Sequence, residues 1–254
     1  MIFQLEKLLL ILTRITSFIV ITPGYSYKGI PNTLKIGISI AVTMFAYMAT
    51  PEFTTDGSMA LFIMMIVREV FVGLALGFVS QVVFSVIEMA GNLIDFQAGF
   101  SMATVYDPAM GAQASNYGRT YYYLAIAVFF LMNMHQVLME TILRSFNHIP
   151  LAAPIIEGVG AEAVLVLFYR MFELGINLAA PMVITVLITD AILGIIARTV
   201  PQINVFMLGM PMKAMVSFMV FMVSVAWVMN FAGSIIGQIP GYIESFIELF
   251  SQAV

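Results

Sequence analysis

The sequence sets nine ionisable side chains, Arg14, Arg68, Glu69, Glu88, Asp95, Arg170, Glu173, Asp190 and Arg198, in or beside long apolar runs. A charge in an apolar helix costs free energy unless it faces a partner or water, so each of these groups should face one. Arg170 and Glu173 stand three positions apart on one helical face, where mutual neutralisation is the plain reading and an ion pathway the sharper one. None of the nine falls into a catalytic arrangement. There is no HExxH, no GxSxG and no phosphate-binding P-loop, and the two histidines, His135 and His148, lie apart without metal-ligand spacing around them. With no cysteine, a disulfide framework and a thiolate metal site are both impossible. Gly158-Val-Gly160 followed by Ala163 imitates part of a dinucleotide fingerprint, but it follows Pro154 and a turn where the fingerprint needs a buried strand. Hydrolysis, phosphoryl transfer and redox catalysis lack the groups they require. The expectation is a protein that is not an enzyme, with no cofactor and no metal.

The elements that carry these side chains are dictated by composition. Of 254 residues, 61% are hydrophobic and 9% charged, against roughly 25% charged in a soluble domain. Such a chain cannot cover itself with polar surface, so its solvent should be lipid. A formal net charge of -4 offers no basic patch for phosphates, which argues against nucleic acid as a partner. Spans of about 20 apolar residues suffice to cross a bilayer core. The qualifying stretches are Leu5–Thr22, Thr33–Thr50, Ser58–Met89, Tyr121–Met139, Ala163–Ala197 and Lys213–Gly237, of which the third and fifth exceed one span. The fold expected is all-α: a polytopic helical membrane protein with about six long apolar helices in one domain over 1–254. Beyond Pro240, Tyr242, Phe246, Ile247 and Phe250 share one face with Glu244 and Glu248 offset, which predicts an amphipathic terminal helix.

Arg14 interrupts the first apolar run and no small-residue cleavage pattern precedes Pro23, so the first helix reads as retained and not as a signal peptide. A simple zigzag would put Lys28, Arg119, Arg198 and Lys213 on the cytoplasmic side, with bending or re-entry of the over-long stretches left open. Gly73/Gly77 and Gly233/Gly237 have the GxxxG spacing that lets another helix approach closely, although glycine-containing membrane helices match it incidentally too. The 21 methionines, among them Met207, Met212, Met215, Met219 and Met222, supply flexible packing.

Two segments are more specific. In GNLIDFQAGFSMATVYDP, from Gly91 to Pro108, a moderately polar helix breaks at Gly99 into a mostly apolar loop ahead of Asp107-Pro108. An apolar loop is unfavourable in water, so Phe100, Met102, Val105 and Tyr106 should be buried, in a cavity or pore. In RTVPQINVFMLGMPMK, from Arg198 to Lys213, Pro201 and Pro211 bracket the segment and Gly209 loosens it. Gln202 and Asn204 there bring amides able to satisfy backbone groups freed by a broken helix.

These two segments resemble the FliR family of flagellar type III export-gate proteins, which is related to the SctT component of injectisomes. The likeness is carried by Ile94, Asp95, Gln97, Gly99, Asp107 and Pro108 in the first segment and by Pro201, Gln202, Asn204, Phe206, Gly209, Pro211 and Lys213 in the second. Overall length, the six apolar stretches and the TPGYSYKGIP turn from Thr22 to Pro31 agree with it, and the intact NVFMLGMPMK run favours the flagellar form. The resemblance implies a subunit of a gate built with FliP and FliQ in the bacterial inner membrane at the flagellar basal body. It also implies FlhB and FlhA as export-apparatus partners and unfolded flagellar proteins as substrates. It further implies that the loop after Gly99 helps to plug the channel, with Phe100, Met102, Val105 and Tyr106 at the plug. Some relatives have phenylalanine where this sequence has Met102 and Val105. Apolar helices would then lie against partner subunits as well as lipid. The reading of a different class is an ion-coupled secondary transporter, motivated by Asp190, Glu173 and a helix-interrupting Pro181. Such carriers show matching halves, and the sequence shows none.

Overall fold

The computed structural model describes residues 2–27, 29–51, 58–100, 115–152, 161–200, 202 and 204–251. Among them every regular element is a helix: α1 (Ile2–Ile21), α2 (Asn32–Ala49), α3 (Met59–Ala98), α4 (Tyr117–Leu131), α5 (Met134–His148), α6 (Ala161–Thr199), α7 (Val205–Ile236) and α8 (Ile239–Ser251). Long runs of Leu, Ile, Met, Phe and Ala admit only this solution in an apolar solvent, because a helix satisfies its backbone N–H and C=O groups within itself. Among the described residues four stretches are long and apolar enough to cross a membrane: Asn32–Ala49, Met59–Ala98, Leu165–Thr199 and Met207–Glu248. The first expected span, now α1, carries Glu6, Lys7 and Arg14 and is not among them.

Three expectations are corrected. Tyr121–Met139 is not one continuous span: α4 stops at Leu131 and α5 starts at Met134, with Asn133 between them at φ 55. Asparagine is among the few residues that enter this left-handed region at little cost. Pro181 does not interrupt α6, and Gly209 and Pro211 lie inside α7. A proline within a helix removes one hydrogen bond and crowds one carbonyl, and in a long apolar helix the intact turns on either side hold it in register.

The chain divides into two compact units. The first comprises Met1–Val83, Phe129–Leu167 and Gly237–Val254, and the second Phe84–Val128 and Phe168–Ile236. In the first unit α1 buries Leu10, Ile11, Ile15, Phe18 and Ile19 along one face and packs on α2. The chain leaves α1 through a turn at Gly24, whose φ of +88° suits glycine and where an added Cβ would lie 2.6 Å from the Phe129 ring. Tyr25 follows, buried, its phenol donating to the His135 carbonyl at 2.7 Å, and burial pushes that phenol up from its ordinary value near 10 to about 12. Helix α8 lies on α5 through Ile239, Ile243 and Ile247, one residue per turn. Its buried stripe is therefore centred on the isoleucines, with Tyr242 and Phe246 at its margin and Glu244 and Glu248 exposed. In the second unit the core is formed by Phe84, Ile87, Ala90 and Ile94 of α3, Tyr121 and Ala125 of α4, Met171, Leu178, Met182 and Val186 of α6, and Val228 and Ala232 of α7.

Candidate functional site

Asp95, one turn before the end of α3, bonds the chain at Phe100 through its carbonyl and at Ser115, Tyr117 and Gly118 through its side chain. Glycine at position 99 has φ +87°, the Gly99 N–H donates to the Phe96 carbonyl at 3.3 Å, and the Phe100 N–H donates to the Asp95 carbonyl at 3.0 Å. This pair of bonds closes α3 as a Schellman turn. The side chain of the same Asp95 reaches the start of α4. One carboxylate oxygen accepts from the Tyr117 N–H at 3.1 Å, and the other from the Gly118 N–H at 3.1 Å and the Ser115 hydroxyl at 2.8 Å. A carboxylate on the free N–H groups of a helix start satisfies donors that have no intrahelical partner and interacts favourably with the helix dipole. At 3% exposure Asp95 is buried, and its side chain accepts from three donors. The Ser115 Oγ also lies 2.6 Å from the Asn92 amide oxygen. A hydroxyl has one proton, so with that proton on Asp95 the Asn92 amide must turn its NH2 toward Ser115.

Close backbone approach makes this clamp possible. A Cβ at Gly91 would lie 2.5 Å from the Tyr117 carbonyl oxygen and 2.6 Å from the Gly118 Cα, and one at Gly118 would collide with Asn92 and Ser115. Gly91, Asn92, Ser115 and Gly118 were not singled out by the sequence analysis. The only signal was the glycine that opens the first segment.

Two residues beyond Asp95, Gln97 of the first segment and Lys213 of the second both bond to Asp190 of α6. Lys213 Nζ lies 2.5 Å from one carboxylate oxygen, and the Gln97 amide donates to the other at 3.2 Å. The ion pair is partly exposed, at 25% for Lys213 and 32% for Asp190. Phe100 stacks edge-on against Tyr117, which stacks on Phe221, and the Tyr117 hydroxyl meets Ser217 at 3.1 Å. An aromatic column thus rises from α7 to the root of the loop.

The remaining residues of interest are placed as follows. Ile94 is fully buried. Gln202 and Asn204 are exposed between α6 and α7, and Asn204 caps α7 by accepting from the Met207 N–H at 3.2 Å. Met102, Val105, Tyr106, Asp107, Pro108 and Pro201, and the glycine pair at 158 and 160, lie outside the described residues, as does the side chain of Phe206. A Cβ at Gly73 would strike the Arg14 carbonyl oxygen, and one at Gly77 would lie 3.0 Å from the Phe18 carbonyl oxygen, so both face the α1 backbone. Gly233 is buried in α7, whereas Gly237 is exposed in the turn beyond its end. Arg170 and Glu173 are exposed on α6.

In the first unit, Arg14 is engaged on every side. Its guanidinium pairs with both oxygens of Glu69, at 2.5 and 3.1 Å, donates to the Ile149 carbonyl at 2.9 Å, and lies 4.3 Å from the Phe146 ring centre. Glu69 additionally accepts from the Ala152 N–H at 2.9 Å. Lys7 donates to the Tyr47 and Thr50 carbonyls at the end of α2, at 3.0 and 2.8 Å. Among the described residues no group of three or more acidic or histidine side chains could hold a metal ion.

Helices of this length and apolarity, with ionisable groups held by protein partners, define a polytopic helical membrane protein. Residues 5–239 match the family described as bacterial export proteins, family 1, and the chain belongs to that family. It is 32% identical over 222 residues to the flagellar biosynthetic protein FliR of Bacillus subtilis (strain 168), covering 85% of this chain and 84% of that protein. It is 28% identical over 204 residues to the protein of the same name from Escherichia coli (strain K12), covering 79% and 77%. It is also 27% identical over 229 residues to the Yop proteins translocation protein T of Yersinia pestis, covering 88% and 87%.

Proposed function

We propose that this chain is a subunit of the flagellar type III protein export gate in the bacterial inner membrane at the basal body. In this reading it is one FliR-like domain that acts without catalysis. With FliP- and FliQ-type subunits it lines part of the channel for unfolded flagellar proteins, next to FlhA- and FlhB-type components. Phe100, Met102, Val105 and Tyr106 seal that channel between transport events.

The observation that carries the reading is the double attachment at Asp95. A segment whose two ends are fixed on one buried residue, the first on the Asp95 carbonyl and the second on its carboxylate, can carry apolar side chains between two constant points. A constriction of apolar side chains excludes water and ions without a charged gate, and methionine can reseal against a changing surface. The flagellar form is favoured over the injectisome form by the intact NVFMLGMPMK run from Asn204 to Lys213. The carrier reading loses two of its three motives, because Asp190 is paired with Lys213 and Pro181 lies within an unbroken α6.

The test is membrane permeability to ions and small solutes in cells making loop variants, compared at equal amounts of assembled gate. Serine at Phe100, Met102, Val105 and Tyr106 should raise leakage while leaving assembly largely intact. Unchanged permeability in the assembled fourfold variant would sink the sealing role.

A further inference from the structure

Gln97 lies one turn from Phe100 on the last turn of α3, and its amide donates to Asp190 at 3.2 Å. Asp190 in turn is bound by Lys213 at 2.5 Å. The Asp190–Lys213 bond joins α6 to α7 and is charge-to-charge. Within this three-residue network the Gln97 bond is the link to α3, and it is a single hydrogen bond from a neutral donor. When a structure yields along a chain of contacts, the weaker link opens first, and here that link sits beside the root of the proposed seal.

We infer that Gln97 is a positioning residue for the closed gate, acting through Asp190: its bond ties the loop-bearing end of α3 to the α6–α7 hairpin, and breaking it biases the gate toward leakage. This inference rests on the sealing role proposed above. The groups that face Gln97 are Asp190 on α6 and Lys213 on α7, and Asp95, two residues away on α3, is engaged by Ser115, Tyr117 and Gly118. One lysine charge is already taken up by Asp190. A glutamate at position 97 would therefore add a second carboxylate for one cation. Like charge raises the affinity of such a carboxyl for a proton. When protonated it donates to Asp190 as the amide does, and when ionised it repels Asp190.

The experiment uses the whole gate, purified and reconstituted into vesicles of phosphatidylethanolamine and phosphatidylglycerol, with efflux of entrapped potassium measured from acid to mildly alkaline pH. Three variants are compared with the parent: Gln97→Glu, Gln97→Met and, as a check on the sealing role itself, Phe100→Ser. Loss of a hydrogen bond to a charged acceptor shifts a two-state balance by roughly tenfold or more. Gln97→Glu should therefore leak about that much faster than the parent at neutral pH and approach the parent as the pH falls through the raised carboxyl value. Gln97→Met, similar in length but without donors, should leak at every pH. A merely structural role for Gln97 would give no such reversal with acid. If Phe100→Ser leaks while both Gln97 variants stay tight, the positioning role is overturned and the seal stands. If Phe100→Ser is tight as well, the fourfold serine variant decides, and a tight fourfold variant overturns the sealing role and this inference with it. Should Gln97→Glu not assemble, a tight Gln97→Met gate overturns the role.

Discussion

Arg14 of α1 and Glu69 of α3 form a two-pronged ion pair with side-chain exposures of 0% and 2%, the guanidinium Nε 2.5 Å from the carboxylate. Taking two charges out of water costs several kcal/mol each, and only good geometry with every remaining donor and acceptor satisfied offsets that cost. The Ile149 carbonyl, the Ala152 N–H and the Phe146 ring complete the satisfaction. Glu69→Ala should therefore destabilise the protein by about 3–5 kcal/mol, because it strands a buried guanidinium. The Arg14→Met, Glu69→Leu double variant should recover most of that loss. Thermal unfolding in detergent measures both, and a double variant as unstable as Glu69→Ala would overturn the account.

Removing the Asp95 carboxylate leaves the Tyr117 and Gly118 N–H groups and the Ser115 hydroxyl without their acceptor. Each stranded buried donor costs about 1–3 kcal/mol. Asp95→Ala should lower the amount of assembled gate sharply, and Asp95→Asn, which keeps one acceptor oxygen, should fall between the alanine variant and the parent. Equal assembly in all three would count against the clamp.

The glycine pairs should behave differently. Gly73→Leu and Gly77→Leu place side chains against the backbone of α1 and should lower folded yield. Gly237→Leu, in an exposed turn, should be tolerated. A yield for Gly73→Leu equal to that for Gly237→Leu would show that α1 does not depend on the close approach.

Asn204 is an N-cap, so Asn204→Leu should cost about 1 kcal/mol while Asn204→Asp keeps the acceptor and the stability. Gln202, exposed beside it, should tolerate leucine. A common destabilisation of both leucine variants would point to a role for the amides outside the cap.

Tyr25 gives a dependence on pH. Its phenol in the folded protein is raised to about 12 by burial, so stability that is fully present below about pH 10 is lost as pH rises toward 12, where the unfolded chain ionises and the folded one does not. Tyr25→Phe should flatten the alkaline fall in melting temperature by the share of one proton, and should cost about 1 kcal/mol near neutrality through the lost bond to the His135 carbonyl. An unchanged alkaline slope would refute the assignment.

The helical class was legible because apolar runs near bilayer length leave the backbone no alternative. The charged residues that need partners were legible too, since burial cost depends on residue type alone. Their pairing was not. Arg14 and Glu69 are far apart in sequence, and only the approach of α1 to α3 at Gly73 and Gly77 joins them. Asp95 was recognised by its motif, but its role depends on Gly91 and Gly118 bringing two backbones together, which no local spacing encodes. Proline was over-read: Pro181 and Pro211 cost one hydrogen bond each and do not outweigh the surrounding turns. Asn133, an ordinary residue in an apolar run, was under-read, because a left-handed residue is specified by the packing on either side of it.

The attachment of both loop ends to Asp95 separates the length of the intervening chain from the geometry of its frame. Residues can be gained or lost between Phe100 and Ser115 without shifting where α3 stops or α4 starts, since both points are set by bonds to one side chain and its own carbonyl. Closing a loop of a few residues more costs only slightly more entropy, because the penalty grows with the logarithm of length. The intervening stretch is therefore open to substitution and insertion while the end of α3 and the start of α4 keep their places.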